Sequence, residues 1–174
     1  MIPDTVIRDL KDIKEKIAKT NNLPPIIPQE GISLAYAHVS ARGSDSVEVL
    51  YEGEINTGVD LPVVRMALTA MRFDPDIRSV GVIRYSPQAL SACTMILLDI
   101  CSFDRSREPP GGTTIDFGVA FCCEKINGVP DIIYDTGAPG KEGLIRILGE
   151  NPTLVSGSIN RIVTRIMNTN PVEE

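Results

Sequence analysis

The sequence has no tryptophan, four tyrosines and four phenylalanines, too few rings for a platform on which nucleic-acid bases stack. Its single histidine, His38, rules out a histidine-cluster metal site and leaves any Ser-His-Asp or Cys-His mechanism one base. Positive charge is scarce: 17 lysines and arginines against 23 aspartates and glutamates give a net charge of −6. That balance argues against broad nucleic-acid binding, which needs a basic face. No apolar run approaches the ~20 residues of a membrane helix, and residues 95–100 are interrupted by Asp99. The opening Met1-Ile2-Pro3-Asp4 soon alternates acid and base, unlike a secretory signal, so a cytoplasmic location is expected. Cys93, Cys101, Cys122 and Cys123 contain no C-x-x-C spacing; neither a zinc finger nor a disulfide framework fits, and buried, reduced thiols are expected.

What remains is ordinary globular material: 174 residues, 43% hydrophobic and 23% charged, enough for one domain with its own core. Residues 4–20 carry Val6, Ile7, Leu10, Ile13 and Ile17 at helical spacing, with a charged opposite face. Asn21-Asn22 stops that helix, and Pro24-Pro25-Ile26-Ile27-Pro28 must be extended. A leading helix with a stiff connector over 1–28, followed by a main domain over 29–174, is the expected organisation. Residues 32–39 and 46–55 look like strands, with turn signals at Gly43-Ser44-Asp45 and Asn56-Thr57-Gly58. A helix should start at Pro62, a strand should cover 79–85, and Ser86-Pro87 should cap a helix running to about residue 94. The near-continuous apolar character of 96–103 predicts a central strand. Residues 114–125 read as a helix capped by Thr114, and 131–134 as a short strand. The turn at 136–140 then leads into an expected helix ending near Gly149, and Asn151-Pro152 opens the last helix. Alternating strands and helices predict a layered α/β domain.

Two loops carry chemistry. Residues 102–112 follow the expected central strand and hold Asp104, Arg105, Arg107 and Glu108. Arginines in a loop beyond a strand's carboxyl end suit an anion, with the acids orienting them; the alternative is a surface ion-pair loop. The second loop, Asp135-Thr136-Gly137-Ala138-Pro139-Gly140-Lys141-Glu142, combines glycines, an expected helix start and a lysine, which suits a phosphate; the alternative is a plain glycine turn. It is not a Walker A loop, since two residues separate Gly137 from Gly140 and Glu142 stands where Ser or Thr would bind Mg²⁺. Asp131 and Asp135 flank a strand, where they suit either a metal carried by a diphosphate or ordinary turns. His38, on the face shared by Leu34 and Tyr36, reads as a packed or surface residue.

Several runs resemble the ThiN-type thiamine-phosphate synthase domain. They are Ala67-Leu68-Thr69-Ala70-Met71-Arg72-Phe73-Asp74-Pro75, Ile83-Arg84-Tyr85-Ser86, and Ser102-Phe103-Asp104-Arg105 with Glu108-Pro109. Two more follow in order: Gly128-Val129-Pro130-Asp131-Ile132-Ile133-Tyr134-Asp135, and Gly140-Lys141-Glu142 with Ile145-Arg146-Ile147-Leu148-Gly149. The resemblance spans roughly residues 28–165. It implies a three-layer α/β/α fold with a mixed sheet, akin to class II aldolase-like domains, and thiamine monophosphate as ligand. Family members occur alone, at the C-terminus of archaeal hydroxymethylpyrimidine kinases and in archaeal regulators. Active ones join hydroxymethylpyrimidine diphosphate to hydroxyethylthiazole phosphate and release pyrophosphate. Catalysis of that kind stabilises a departing polyanion.

The front half departs from the pattern. The resemblance expects arginine where Glu54 stands and histidine where Pro62 stands, and many members have asparagine at Val82. No residue is therefore assigned a catalytic role. The ligand site is expected at Asp104, Arg105, Glu108, Asp135, Gly137, Gly140, Lys141 and Glu142, with no protein-held metal. No cofactor is implied, except Mg²⁺ if the chain is an active synthase. The expected partner is thiamine monophosphate or a related phosphorylated pyrimidine or thiazole. A homodimer and a separate kinase or DNA-binding partner stay open; no direct nucleic-acid or membrane contact is expected.

Overall fold

A computed structural model describes residues 1–20, 26–29, 31–110 and 115–169. The expected helix stop at Asn21-Asn22, the Pro24-Pro25 step, the Gly111-Gly112 pair and the Thr114 cap lie outside the described residues. The elements are α1 (Asp4–Ala18), β1 (Ser33–Ala37), β2 (Val47–Tyr51), β3 (Glu54–Thr57), α2 (Pro62–Phe73), β4 (Ser79–Arg84) and α3 (Pro87–Met95). They continue with β5 (Ile100–Ser102), α4 (Phe117–Ile126), β6 (Ile132–Tyr134), β7 (Leu144–Gly149) and α5 (Pro152–Thr169).

The strands form one mixed sheet in the order β3-β2-β1-β4-β7-β6-β5, antiparallel throughout except for the parallel β5–β6 pair. Strand alternation sorts side chains to two faces. Leu34, Leu50, Ile83, Ile132, Ile145 and Ile147 pack with Val6, Leu10 and Ile13 of α1 and with the buried face of α5. Ala35, Val49, Val80, Val82, Ile133 and Leu148 pack with α2 and α4. The expected three-layer α/β/α architecture with a mixed sheet is what forms. All four cysteines are free and buried within these layers, as expected. Among the described residues no helix is long and apolar enough to cross a membrane.

Local capping follows the sequence. Pro62 occupies the first turn of α2, Ser86 accepts the Ala89 amide at 3.0 Å, and Asn151 accepts that of Leu154 at 2.9 Å. Gly81 is required by close approach, because a Cβ there would lie 2.8 Å from Val155 of α5.

Three expectations are corrected. Residues 46–55 are not one strand: Glu52 (φ 53°) and Gly53 (φ 81°) are both left-handed and fold β2 onto β3 in a tight hairpin. The Asn56-Thr57 turn signal falls inside β3. Residues 96–103 are not a central strand either. Helix α3 uses residues up to Met95, Leu97 turns left-handed (φ 63°) and is 88% exposed, and the three-residue β5 lies at the sheet edge. Finally, no helix follows Gly140. Residues 144–149 form β7, paired with β4 and β6 in the interior of the sheet, because a six-residue run flanked by glycine gains more from sheet pairing than from under two helical turns.

Candidate functional site

The parallel pairing of β5 and β6 sets their carboxyl ends side by side, so the loops after them meet. These are the two chemically loaded loops of the sequence. At their junction Asp135 is fully buried and accepts four groups: Arg146 Nη1 at 2.8 Å, the Gly137 amide at 2.9 Å, the Leu144 amide at 3.3 Å and Arg105 Nη1 at 3.3 Å. Gly137 sits at φ 99°, and a Cβ there would come within 2.9 Å of the Lys141 carbonyl, so the turn requires glycine. Pro139 and Gly140 (φ 76°) then close a tight turn, in which Ala138 and Lys141 exchange both backbone hydrogen bonds at 3.0 and 2.8 Å.

That geometry corrects the expected phosphate cradle. The amides of Gly137, Ala138 and Lys141 are engaged within the loop, and with β7 following there is no helix terminus to add partial positive charge. The loop's cations are its side chains. Lys141 Nζ donates to Glu108 Oε1 at 3.2 Å, and Arg105 Nε donates to the same oxygen at 3.3 Å. Arg105 Nη1 also reaches the Glu142 carbonyl at 3.4 Å.

Arg105, Glu108, Gly140, Lys141 and Glu142 line a cleft of about 390 Å³. Its apolar walls include Val63 and Met66 of α2, Val82 of β4, Phe117 of α4 and Leu144 of β7. Asp135 and Gly137 do not line it; they stand behind and brace it. Asp104 faces elsewhere: it accepts the Ser106 amide and hydroxyl at 2.9 and 2.6 Å, and Arg107 approaches it at 3.8 Å. Orienting Arg105 therefore falls to Asp135 and Glu108, not to Asp104.

The lining residues that the sequence reading missed include Arg65, Arg146 and Asp116. Arg146 projects from β7 on the face opposite Ile145 and Ile147, is 2% exposed, and lays its guanidinium 4.7 Å over the Phe103 ring. Asp116 caps α4 by accepting the Val119 amide at 3.0 Å. Burial pushes its carboxyl above the usual range, against the opposing pull of Arg146 and the Val119 amide. A strand reading of 144–149 would have exposed Arg146 as an arginine alternating with core isoleucines.

Of the three departures, Pro62 and Val82 line the cleft, whereas Glu54 lies on the exposed outer strand β3 and does not. His38 is half-exposed, 3.8 Å from Glu48, and also outside the cleft. A more open hollow of about 870 Å³ lies between residues 39–44 and α2, but none of the sequence-predicted site residues lines it.

The acids do not suit a resident magnesium. Both Asp135 oxygens are held by arginine and amide donors, and Asp131 accepts the Asp99 amide at 2.9 Å. Among the described residues no group of three or more His, Cys, Asp or Glu could hold a metal ion.

The family model described as "Thiamine-phosphate synthase ThiN" matches residues 9–161. The bifunctional thiamine biosynthesis protein ThiDN of Methanocaldococcus jannaschii is 38% identical over 120 residues, 67% of this chain and 28% of that protein. The chain thus spans about a quarter of that relative's length. The thiamine-phosphate synthase ThiN of Methanothermobacter thermautotrophicus is 26% identical over 168 residues, 86% of this chain and 88% of that one. Among solved structures, the C-terminal domain of protein MJ0236 superposes with a TM-score of 0.74 at 30% identity, covering 97% of this chain and 99% of that one. The C-terminal domain of a phosphomethylpyrimidine kinase gives 0.68 at 26%, covering 91% and 98%. The Escherichia coli protein YgbL, described as a putative aldolase/epimerase/decarboxylase, gives 0.50 at 11%, covering 98% and 89%; at that identity it shows the fold alone, in line with the aldolase-like expectation.

Proposed function

Because the chain belongs to the ThiN family, a family of thiamine biosynthesis, we propose that its cleft binds thiamine monophosphate or a close phosphorylated analogue, with little synthase turnover. The observation that carries this reading is the shared oxygen of Glu108. Arg105 Nε and Lys141 Nζ both bond to it, at 3.3 and 3.2 Å, so a phosphoryl oxygen taking its place meets two cations already converged on one point. The apolar walls from α2, β4 and α4 accommodate the two rings, and Asp135 keeps Arg105 aimed. Low turnover rests on Pro62, which lines the cleft where the family resemblance expects a histidine; its ring neither donates nor transfers a proton.

An active synthase is the second reading, and one observation favours it. Glu54 stands outside the cleft, so its negative charge does not face a departing diphosphate. In that case Arg105, Lys141 and Arg146 stabilise the leaving pyrophosphate while the thiazole nitrogen captures the pyrimidine-methyl cation. A kinase-bearing partner belongs to the same proposal, since a bifunctional protein and the C-terminal domain of a phosphomethylpyrimidine kinase are among the relatives; a DNA-binding partner stays open.

Titration calorimetry with thiamine monophosphate tests binding. Saturable heat is expected, with affinity falling ~10–100-fold in Lys141→Ala through loss of one charge-assisted contact; no heat up to millimolar ligand refutes the reading. Product formation from the two phosphorylated substrates with Mg²⁺ decides between the two readings.

A further inference from the structure

The hollow of about 870 Å³ between residues 39–44 and α2 shares only Arg65 with the cleft, and it gathers charge of one kind. Fifteen residues line it, and four of them are arginines: Arg42, Arg65, Arg72 and Arg78. With 11 arginines in 174 residues, an even spread would put about one there. None of the chain's six lysines lines it. Its acids are Asp60 and Asp76, so the lining is net positive on a chain whose total charge is −6. Arginine without lysine suits planar, two-point recognition of oxyanions, beyond a general attraction for negative charge.

Most of that charge is not neutralised inside the protein. Of the four, Arg65 alone is paired among the described residues: its Nε and Nη2 donate to the two oxygens of Asp60 at 2.8 and 3.1 Å. Arg78 is positioned by neutral groups. Its Nη1 donates to the Ala37 carbonyl at 3.0 Å and its Nη2 to the Tyr36 hydroxyl at 3.3 Å, with the guanidinium 5.1 Å from the centre of the Tyr36 ring. Those contacts fix the side chain and leave its full charge in place. Arg42 and Arg72 form no ion pair among the described residues. Arg72 lies in the last turn of α2, where a helix favours a cation, but that accounts for one of the three. Unpaired cations gathered in one hollow repel each other, a cost that a bound polyanion removes.

We propose that this hollow is a second anion site, taking the di- or triphosphate chain of a small organic molecule. The guanidinium groups come from three segments, the 39–44 loop, the end of α2 and the step before β4, and the phosphates of a chain offer oxyanions in series to meet them. Arg42 and Arg72 are exposed, so a ligand reaches them without opening the fold. Buried Val64 and Met71 give the hollow an apolar floor, and its volume falls in the ~300–1,000 Å³ range of small-molecule sites. That is more than twice the volume of the cleft, which leaves room for an organic group beside the phosphates. The inference does not depend on what the cleft binds.

The test titrates tripolyphosphate into the isotope-labelled full chain and follows backbone amide resonances residue by residue, so that the hollow and the cleft report separately. The amides of residues 39–44 should shift saturably. In the double variant Arg42→Gln with Arg72→Gln, half-saturation of those shifts should need ~10-fold more tripolyphosphate or worse, through loss of two charge-assisted contacts. Lys141→Ala, which removes a cation of the cleft, should leave it within ~3-fold. No saturable shift at 39–44 up to millimolar tripolyphosphate overturns the proposal, as does an unchanged half-saturation in the double variant. Sodium chloride at matched ionic strength producing the same shifts reduces the effect to screening and also overturns it. Hexaglutamate saturating these amides at a lower concentration than tripolyphosphate assigns the surface to an acidic polypeptide instead. If the double variant does not fold, the unaltered chain with its chloride and hexaglutamate comparisons still decides.

Discussion

Replacing Asp135 by alanine isolates the interaction on which the cleft's geometry depends. The Asp135 side chain is 0% exposed and that of Arg146 is 2% exposed, with 2.8 Å between them. After the substitution Arg146 keeps the Leu144 carbonyl at 3.2 Å and the face of Phe103, neither of which carries a full negative charge. Removing one partner of a buried pair costs ~3–5 kcal/mol, because the survivor stays charged and desolvated. The Gly137 and Leu144 amides lose their acceptor as well, which places the loss at the upper half of that range. Arg105 adds little, since it is 15% exposed and retains Glu108.

A loss of ~4 kcal/mol is a large share of the ~5–15 kcal/mol that holds a domain together. With a urea slope of ~2 kcal/mol/M the unfolding midpoint should fall by ~2 M. Arg146→Met alone should cost less, because Asp135 then keeps Arg105 and both amides. The double variant should recover part of the Asp135→Ala loss, with a coupling of ~2 kcal/mol or more. A midpoint shift under ~0.5 M, or losses that simply add, would refute the claim that this pair is a single buried unit.

Asp116 and Gly118 give two further tests. Asp116 has a folded-state pKa raised above its ordinary 3.8 by burial, so the folded chain binds the proton more tightly than the unfolded chain, and stability falls as pH rises through that window. Asp116→Asn keeps an N-cap oxygen and should match or exceed the unaltered protein in melting temperature at neutral pH, the difference closing as pH drops toward 3.8; a difference that grows on acidification contradicts the assignment. Gly118→Ala would raise helix propensity by ~1 kcal/mol at an open site, but its Cβ would collide with the Phe103 ring, which also contacts Arg146 and Phe117. A net loss of ~1–3 kcal/mol is expected, and Phe103→Leu in the same chain should relieve part of it in a urea titration.

How far the sequence could be read depended on how many independent signals marked each element. Helix α5 had an Asn-Pro start and an apolar stripe, and α1 had a stripe opposite a charged face, so both were legible. Residues 144–149 had only Leu-Ile-Arg-Ile-Leu between glycines, and over six residues period alone does not separate a strand from a helix. Length should have decided it, since helices seldom stop so short. The same ambiguity hid Arg146, which reads as a solvated helix position in one period and as a buried cleft residue in the other. Arg105, Glu108, Lys141 and Glu142 were legible because unlike charges crowded into two short loops. Asp104 shared that crowding but had Ser106 two residues on, and its local turn took it out of the cleft.

The correction at β7 alters how the proposed phosphate would be held, beyond moving an element boundary. A phosphate on a helix N-terminus is held by amides that need no counterion and exact no displacement. In this cleft the Gly137, Ala138 and Lys141 amides are engaged within the loop, so the proposed phosphate would have to compete with Glu108 for Arg105 and Lys141. On that proposal, exchange of one carboxylate for one phosphoryl group would conserve the number of charge-assisted bonds, and the net gain would come from the phosphate's second charge and additional oxygens. A carboxylate-bearing analogue should then bind far more weakly than its phosphate counterpart, as an amide cradle on a helix terminus would not require.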